Sequence, residues 1–206
     1  MKNMKNLLLC AALTPSLAGA SEIQVNGTIA SGSCEPGAST SLQDIRVIPR
    51  DETSVTGLPV RRPAVRVKCP AATRYALRLI DARADSVAQS VENHAPERGR
   101  LFGLGTHNGR NIGAYWLTIR NNMADGDYYT PLSMGSSESG APGSFRFDRP
   151  VWNLEPDVFY ASSYDEGATS PSALTMSMID LEFRGVVAPM AELGRGEEVK
   201  LDGMAI

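Results

Sequence analysis

Apolar and polar residues alternate along much of the chain, which is the pattern of half-buried β-strands. The plainest instance covers residues 65–69, where Val65, Val67 and Cys69 are separated by charged residues. One face of such a strand packs inward and the other meets water. The same alternation, or a run of aromatic and β-branched residues, predicts further strands at residues 22–29, 74–80, 112–119 and 158–164.

The longest alternating segment covers residues 173–187 and changes phase near its middle. Its large apolar residues are divided between the two parities, with Leu174, Met176 and Met178 on one and Leu181 and Phe183 on the other. The change of phase near Ile179–Asp180 predicts a bulge or a bend at that point.

Turn signals separate the strands. Asn108-Gly109, placed between two extended runs, is typical of a hairpin turn, and the Ser- and Gly-rich residues 135–143 predict an exposed mobile loop. Helical periodicity is weak, and only residues 86–97 could form a turn of helix. Many short strands with turns between them predict an all-β fold, an antiparallel β-sandwich. Since no linker separates two cores, residues 21–206 form a single domain in this prediction.

The first twenty residues have the features of an export signal. Lys2 and Lys5 give a positive start, and an apolar run follows at residues 7–13. Ala18 and Ala20 supply the small residues of a cleavage site. The run is too short for a membrane span, which needs about 20 apolar residues. The sequence therefore predicts a cleaved signal peptide at residues 1–20, no membrane span, and a mature protein in the periplasm, on the cell surface or in the medium.

Removal of the signal leaves two of the three cysteines, Cys34 and Cys69. In an oxidising compartment an isolated pair predicts a disulfide. A bridge that closes 35 positions (69 − 34) stabilises a fold by about 3–4 kcal/mol in the chain-entropy model.

Few residues offer catalytic or metal-binding chemistry. His94 and His107 are the two histidines, and both lie in polar, loop-like stretches. His107 with Asp125 or Asp127 and a serine would make a hydrolase triad, but no G-x-S-x-G elbow exposes a serine. The aspartate pair lacks the acidic residue that closes a calcium loop, so a tight turn is the better interpretation. We expect no enzyme activity, no metal site and no cofactor.

The charge of the chain argues against a nucleic-acid partner. Without Lys2 and Lys5 the formal charge is 18 − 23 = −5, and no basic run suggests binding to a polyanion of that kind.

The order of motifs resembles two related groups of exported proteins. The strand at residues 25–29 and Cys34, with a partner strand that ends at Cys69, is similar to the first strands of chaperone–usher pilins. Other motifs are similar to a fimbria-associated family called domain of unknown function 1120. These motifs are Cys69-Pro70 and residues 76–83, 102–105, 111–115, 185–189 and 199–203. The similarity runs from about Glu22 to the C-terminus.

This resemblance implies an immunoglobulin-like, pilin-like sandwich that lacks one strand, in a fimbrial or fimbria-associated structural or adhesive subunit. A periplasmic chaperone and then another fimbrial subunit would supply the strand, because an incomplete sheet exposes backbone donors and an apolar groove. The candidate strand-exchange edge is the late strand, with Leu174, Met176, Met178, Leu181 and Phe183. Only Ser21–Asn26 precede Gly27, so we expect the chain to accept a donor strand but to be a poor donor.

A second hypothesis stays open. The chain could be a free periplasmic or secreted β-sandwich binding module, with the loops around Gly103 or Gly135 as its binding surface. Residues 22–29 would then be the first strand of a self-complete sandwich. The sequence names no receptor or ligand for either hypothesis.

Overall fold

The computed structural model describes residues 34–38, 46–47, 52–93, 101–125, 127–131, 133–149, 151–194 and 199–201. The predicted signal peptide with Ala18 and Ala20, the predicted strand at residues 22–29, and His94 lie outside the described residues.

Strands make up about half of the described chain. They are β1 (Glu35–Ala38), β2 (Arg46–Val47), β3 (Thr56–Gly57), β4 (Ala64–Thr73), β5 (Leu77–Arg78), β6 (Phe102–Gly103), β7 (Thr106–His107), β8 (Arg110–Asn111), β9 (Gly113–Ala124), β10 (Asp127–Pro131), β11 (Ser133–Ser137), β12 (Asn153–Leu154), β13 (Phe159–Ser163), β14 (Leu174–Val187) and β15 (Val199–Lys200). Helical structure consists of two 3₁₀ turns, Ala84–Ser86 and Gln89–Val91, and the short helix α1 (Met190–Leu193). No helix among the described residues is long and apolar enough to cross a membrane.

Two antiparallel sheets form the sandwich. The larger sheet has the order β1-β4-β14-β9-β10, with β3 also paired to β14 and with β6 and β12 also paired to β9. The smaller sheet has the order β11-β13-β5. Both sheets contribute to one buried cluster, which includes Val67 of β4, Leu77 of β5, Tyr160 of β13 and Leu181 of β14. The predicted all-β antiparallel sandwich is therefore confirmed.

The long strands β9 and β14 form the centre of the larger sheet. They pair from Ser177↔Ala124 to Val187↔Gly113, and the register shifts between Asp180 and Leu181. The predicted bulge is therefore confirmed at this position. The extra, unpaired residue is on the partner strand and not on β14: it is Arg120 of β9. An aromatic stack fixes the core beneath these strands: the ring of Tyr115 lies 5.1 Å from Phe102 and 5.1 Å from Phe183, centroid to centroid.

The predicted disulfide is present. Cys34 and Cys69 are bonded, and both are buried. The bond lies at the start of β1, whose residues pair antiparallel with β4 from Glu35↔Lys68 to Ala38↔Val65. It therefore ties an edge strand of the larger sheet to its only neighbour in the described part of the sheet.

The Asn108-Gly109 hairpin is also confirmed. Asn108 has φ 50° and Gly109 has φ 75°, and they connect β7 to β8. Positive φ at both central residues is the type I′ geometry that matches the twist of paired strands.

The Ser- and Gly-rich segment differs from its prediction. Its first residues, Gly135–Ser137, belong to β11, and both Gly135 and Ser137 are buried. The following chain returns over the outer face of the smaller sheet, where Phe145 and Phe147 pack against Ala161. Periodicity reasoning missed this second apolar cluster because glycine and serine have low strand propensity.

Candidate functional site

The predicted strand-exchange edge at β14 is wrong. Leu174, Met176, Met178, Leu181 and Phe183 lie on a central strand that pairs with β9 on one side and with β4 and β3 on the other. Phe183 also exchanges backbone hydrogen bonds with Arg61, which closes the gap between β3 and β4. The apolar content that made this segment conspicuous is explained by its central place, because its core-facing residues are buried against both sheets.

A different strand is an edge in the described structure. Within the described ranges, β5 pairs with β13 alone, through Leu77↔Tyr160 and Arg78↔Phe159. The pairing is supported by side chains, since the Arg78 guanidinium lies 5.4 Å from the centre of the Phe159 ring and donates a 2.7 Å hydrogen bond to Asp157. The other side of β5 is thus the described edge of the smaller sheet.

The core beside β5 contains a small apolar gap. It is lined by residues from both sheets: Val65, Leu77, Leu79, Met134, Leu154, Tyr160, Ile179 and Leu181. Its room is that of roughly one water molecule. Because only apolar atoms face it, a water would find no hydrogen-bond partners there. An apolar group about the size of a methyl is the chemically suitable filling.

The histidine and aspartates considered for catalysis are not brought together. His107 belongs to the β7–β8 hairpin, near the start of β9, whereas Asp125 follows the other end of that strand of 12 residues. The Oδ1 atom of Asp125 accepts hydrogen bonds from the backbone amides of Thr175 and Met176 at 2.8 and 2.9 Å. Burial raises the pKa of Asp125, but a 2.6 Å hydrogen bond from the Thr175 hydroxyl, together with the two amides, outweighs it and holds the pKa below its usual range. The carboxylate therefore serves the turn between β9 and the start of β14.

A buried polar group links the long connection after β5 to the larger sheet. Asp81 accepts hydrogen bonds from the amides of Arg83 and Gly103, each at 2.8 Å. Burial raises the pKa of Asp81, although both hydrogen bonds lower it. Burial also raises the pKa of Tyr115, whose hydroxyl has no hydrogen-bond partner in the described structure. The part of residues 81–100 that is described is thus packed onto the core rather than solvated.

The two glycines around which a binding surface was predicted are buried in strands, although exposed residues follow each of them at 106–110 and 138–143. Gly103 is buried in β6 and pairs with Ala114, and Gly135 is buried in β11 and pairs with Ala161. A methyl group on Gly103 would lie 2.0 Å from the Arg83 carbonyl oxygen. Close backbone packing, and not ligand contact, explains this glycine.

Sequence reasoning missed a charged cluster on the outer face of the larger sheet. Only 3% of the side chain of Glu182, in β14, is exposed. Arg120 donates from Nε and Nη2 to Oε2 at 3.0 and 2.7 Å, and Arg184 donates from Nε to Oε1 at 2.7 Å. Arg62 lies further away, with Nε 3.8 Å from Oε2. Hydrogen bonds from Arg120 and then Arg184 hold the pKa of Glu182 below its usual range.

No group of three or more histidine, cysteine, aspartate or glutamate residues in the described ranges could hold a metal ion. No family model, no curated protein and no solved structure matches this chain. The similarity of its motifs to fimbria-associated proteins therefore stays a prediction.

Proposed function

We propose that the protein is a fimbrial or fimbria-associated subunit, structural or adhesive, that accepts a strand from a periplasmic chaperone or from another fimbrial subunit. The observation that supports this proposal is that two features coincide at β5. A strand edge of the smaller sheet lies beside an apolar gap in the sandwich core. The proposal also draws on the motif similarity described above.

The physical argument concerns both the backbone and the side chains. A strand added along β5 would hydrogen-bond to its backbone, as strands do when they join a sheet edge. Side chains of an added strand alternate in direction, so every second one would face the core next to Leu77 and Leu79. An apolar residue there would remove further surface from water, worth about 25 cal/mol per Å².

The disulfide supports a role outside the cytosol. Disulfides persist in oxidising compartments and are rare elsewhere. The Cys34–Cys69 bond holds β1 on β4 in the larger sheet, so it does not involve the β5 edge of the smaller sheet.

Hydrogen exchange with a donor peptide tests the proposal. The probe is a peptide of about ten residues with alternating apolar side chains, copied from the arm of a pilin subunit. Binding should protect the amides around Leu77–Arg78 and raise the melting temperature with peptide concentration, because a ligand of the native state stabilises it. The amides of β14 should gain only the protection that follows from the higher global stability, since β14 is already paired on both sides.

The control is the same peptide with serine at its apolar positions, which should neither protect β5 nor raise the melting temperature. Added protection at β1 or β10 instead of β5 would show that the edge is wrongly assigned. A stable monomer whose β5 amides are already protected, and which binds none of the arms, would support the free binding module and overturn the proposal.

A further inference from the structure

The arginine cluster around Glu182 has more hydrogen-bond donors than its carboxylate uses. Arg184 donates only from Nε, and Arg120 does not use Nη1 for any contact within the described structure. Arg62 makes an ion pair at 3.8 Å, and 77% of its side chain is exposed. Each guanidinium has five N–H groups in a fixed fork that suits a second carboxylate.

The cluster is positive on a chain that is negative overall. Three arginines against one glutamate give a formal charge of 3 − 1 = +2, whereas the whole chain has −3. Asp180 lies two residues before Glu182 on the same face of β14 and reduces the local excess of positive charge. The buried glutamate holds Arg120 and Arg184 in place, so they are ordered before any ligand arrives.

Groups suited to a sugar flank the arginines in register. Trp116 of β9 lies directly opposite Arg184, and Thr118 lies opposite Glu182. Thr118 in turn pairs with Asn153 of β12 and donates a 2.9 Å hydrogen bond to its side-chain oxygen. The face thus presents guanidinium groups beside a half-buried indole, a hydroxyl and an amide.

We propose that this face binds an acidic carbohydrate through its carboxylate groups. Arg62 and Arg184 bind the carboxylate, Arg120 and Glu182 position them, and Trp116 packs against the sugar ring. The Trp116 indole, the Thr118 hydroxyl and the Asn153 amide favour a sugar as the ligand. A phosphate polymer would bind through the charges of its own backbone and would need no aromatic stacking partner. This inference does not rest on the proposed strand exchange, because the cluster lies on the larger sheet and β5 belongs to the smaller one.

Fluorescence titration with a polyuronate tests the inference. Trp116 and Trp152 are the two tryptophans of the chain. Trp152 lies close to the cluster, because its carbonyl oxygen accepts a 2.6 Å hydrogen bond from the amide of Ile119, so its emission has to be removed. In a Trp152→Phe background all tryptophan emission therefore comes from Trp116. Adding polygalacturonate should change that emission in a saturable way, and added salt should weaken the binding, since exposed charge pairs are screened. Neutral dextran should have no effect.

Two single substitutions and one matched control separate the cluster from overall charge. Arg62→Gln and Arg184→Gln should each weaken the binding by roughly fivefold, as expected when one exposed charge-assisted contact is lost. Arg146→Gln removes the same charge from the chain over the smaller sheet, next to the buried Phe145 and Phe147, and should leave the binding unchanged. Circular dichroism checks that each variant is folded.

Three results would overturn the inference. The first is no saturable change in the wild type, which would leave the cluster with a structural role only. The second is an equal loss of binding in the Arg146→Gln control, and the third is binding of DNA or dextran sulfate as tight as that of polygalacturonate. The last two would show attraction to any polyanion, without recognition of the sugar.

Discussion

Removal of the Cys34–Cys69 bond should have a global and a local effect. The bond closes a sequence separation of 35 residues. In the chain-entropy model such a loop restricts the unfolded chain enough to stabilise the fold by about 3–4 kcal/mol at 25 °C. Replacing both cysteines with alanine removes this constraint and little packing volume. The free energy of unfolding should therefore fall by about that amount.

The local effect follows from the exposure of β1. All four of its residues are exposed, and it pairs with β4 alone in the described structure. Without the covalent bond only backbone hydrogen bonds would hold β1, and exposed edge strands of this kind open at a low free-energy cost. In the double alanine variant the amides of Glu35, Gly37 and Ala38 should exchange rapidly, while those of β14 exchange only through global unfolding.

Urea unfolding of the oxidised wild type and the variant measures the global effect, and hydrogen exchange measures the local one. Reduction of the wild type should reproduce the variant, and the reducing agent should not affect the variant itself. A loss below about 1 kcal/mol, with the β1 amides as protected as before, would refute both the entropic argument and the assignment of β1 as a weakly held edge.

Four further substitutions, one of them a control, test the packing and the charges. Gly103→Ala should destabilise the fold by about 1–3 kcal/mol, because the new methyl would lie 2.0 Å from the Arg83 carbonyl oxygen. Gly57→Ala is the control: its methyl meets nothing within 4 Å, so the variant should be nearly neutral in thermal melts. Phe183→Ala should cost about 3–5 kcal/mol in urea unfolding, since the ring is buried in the aromatic stack. Glu182→Gln should be less stable than the wild type above about pH 4.3, the usual glutamate pKa. That difference should vanish as the pH falls through the lowered folded-state pKa, and a difference independent of pH would refute the argument.

Much of the sandwich could be predicted because its signals are local. Alternation identified β4, and a run rich in aromatic residues identified β13. The Asn108-Gly109 pair identified a hairpin, and the even cysteine count identified the disulfide. The phase change in residues 173–187 marked a real register shift. Each of these features depends on a few neighbouring residues, or on a pair that has no alternative partner.

The place of a strand in its sheet could not be predicted in this way. Alternation in β14 shows which residues face the core, but it is the same for a central strand and for an edge. The neighbours of β14 come from β4 and β9, which are distant in the sequence. The contact between Arg120 and Glu182 could not be predicted for the same reason, since 62 residues separate them in the sequence. Arg120 also lies at the bulge, where the alternation of inward- and outward-facing residues in β9 is interrupted.

The two proposed sites are one residue apart on β14, which raises the question of coupling between them. Leu181 lines the apolar gap, and Glu182 holds the arginines on the opposite face. A strand inserted at β5 could move Glu182 only by shifting β14, and both neighbours of β14 resist such a shift through paired backbone. We therefore expect saturation with the donor peptide to change the affinity for polygalacturonate by less than about twofold. A change of tenfold, which corresponds to about 1.4 kcal/mol of coupling, would show that β14 transmits strand insertion to the outer face.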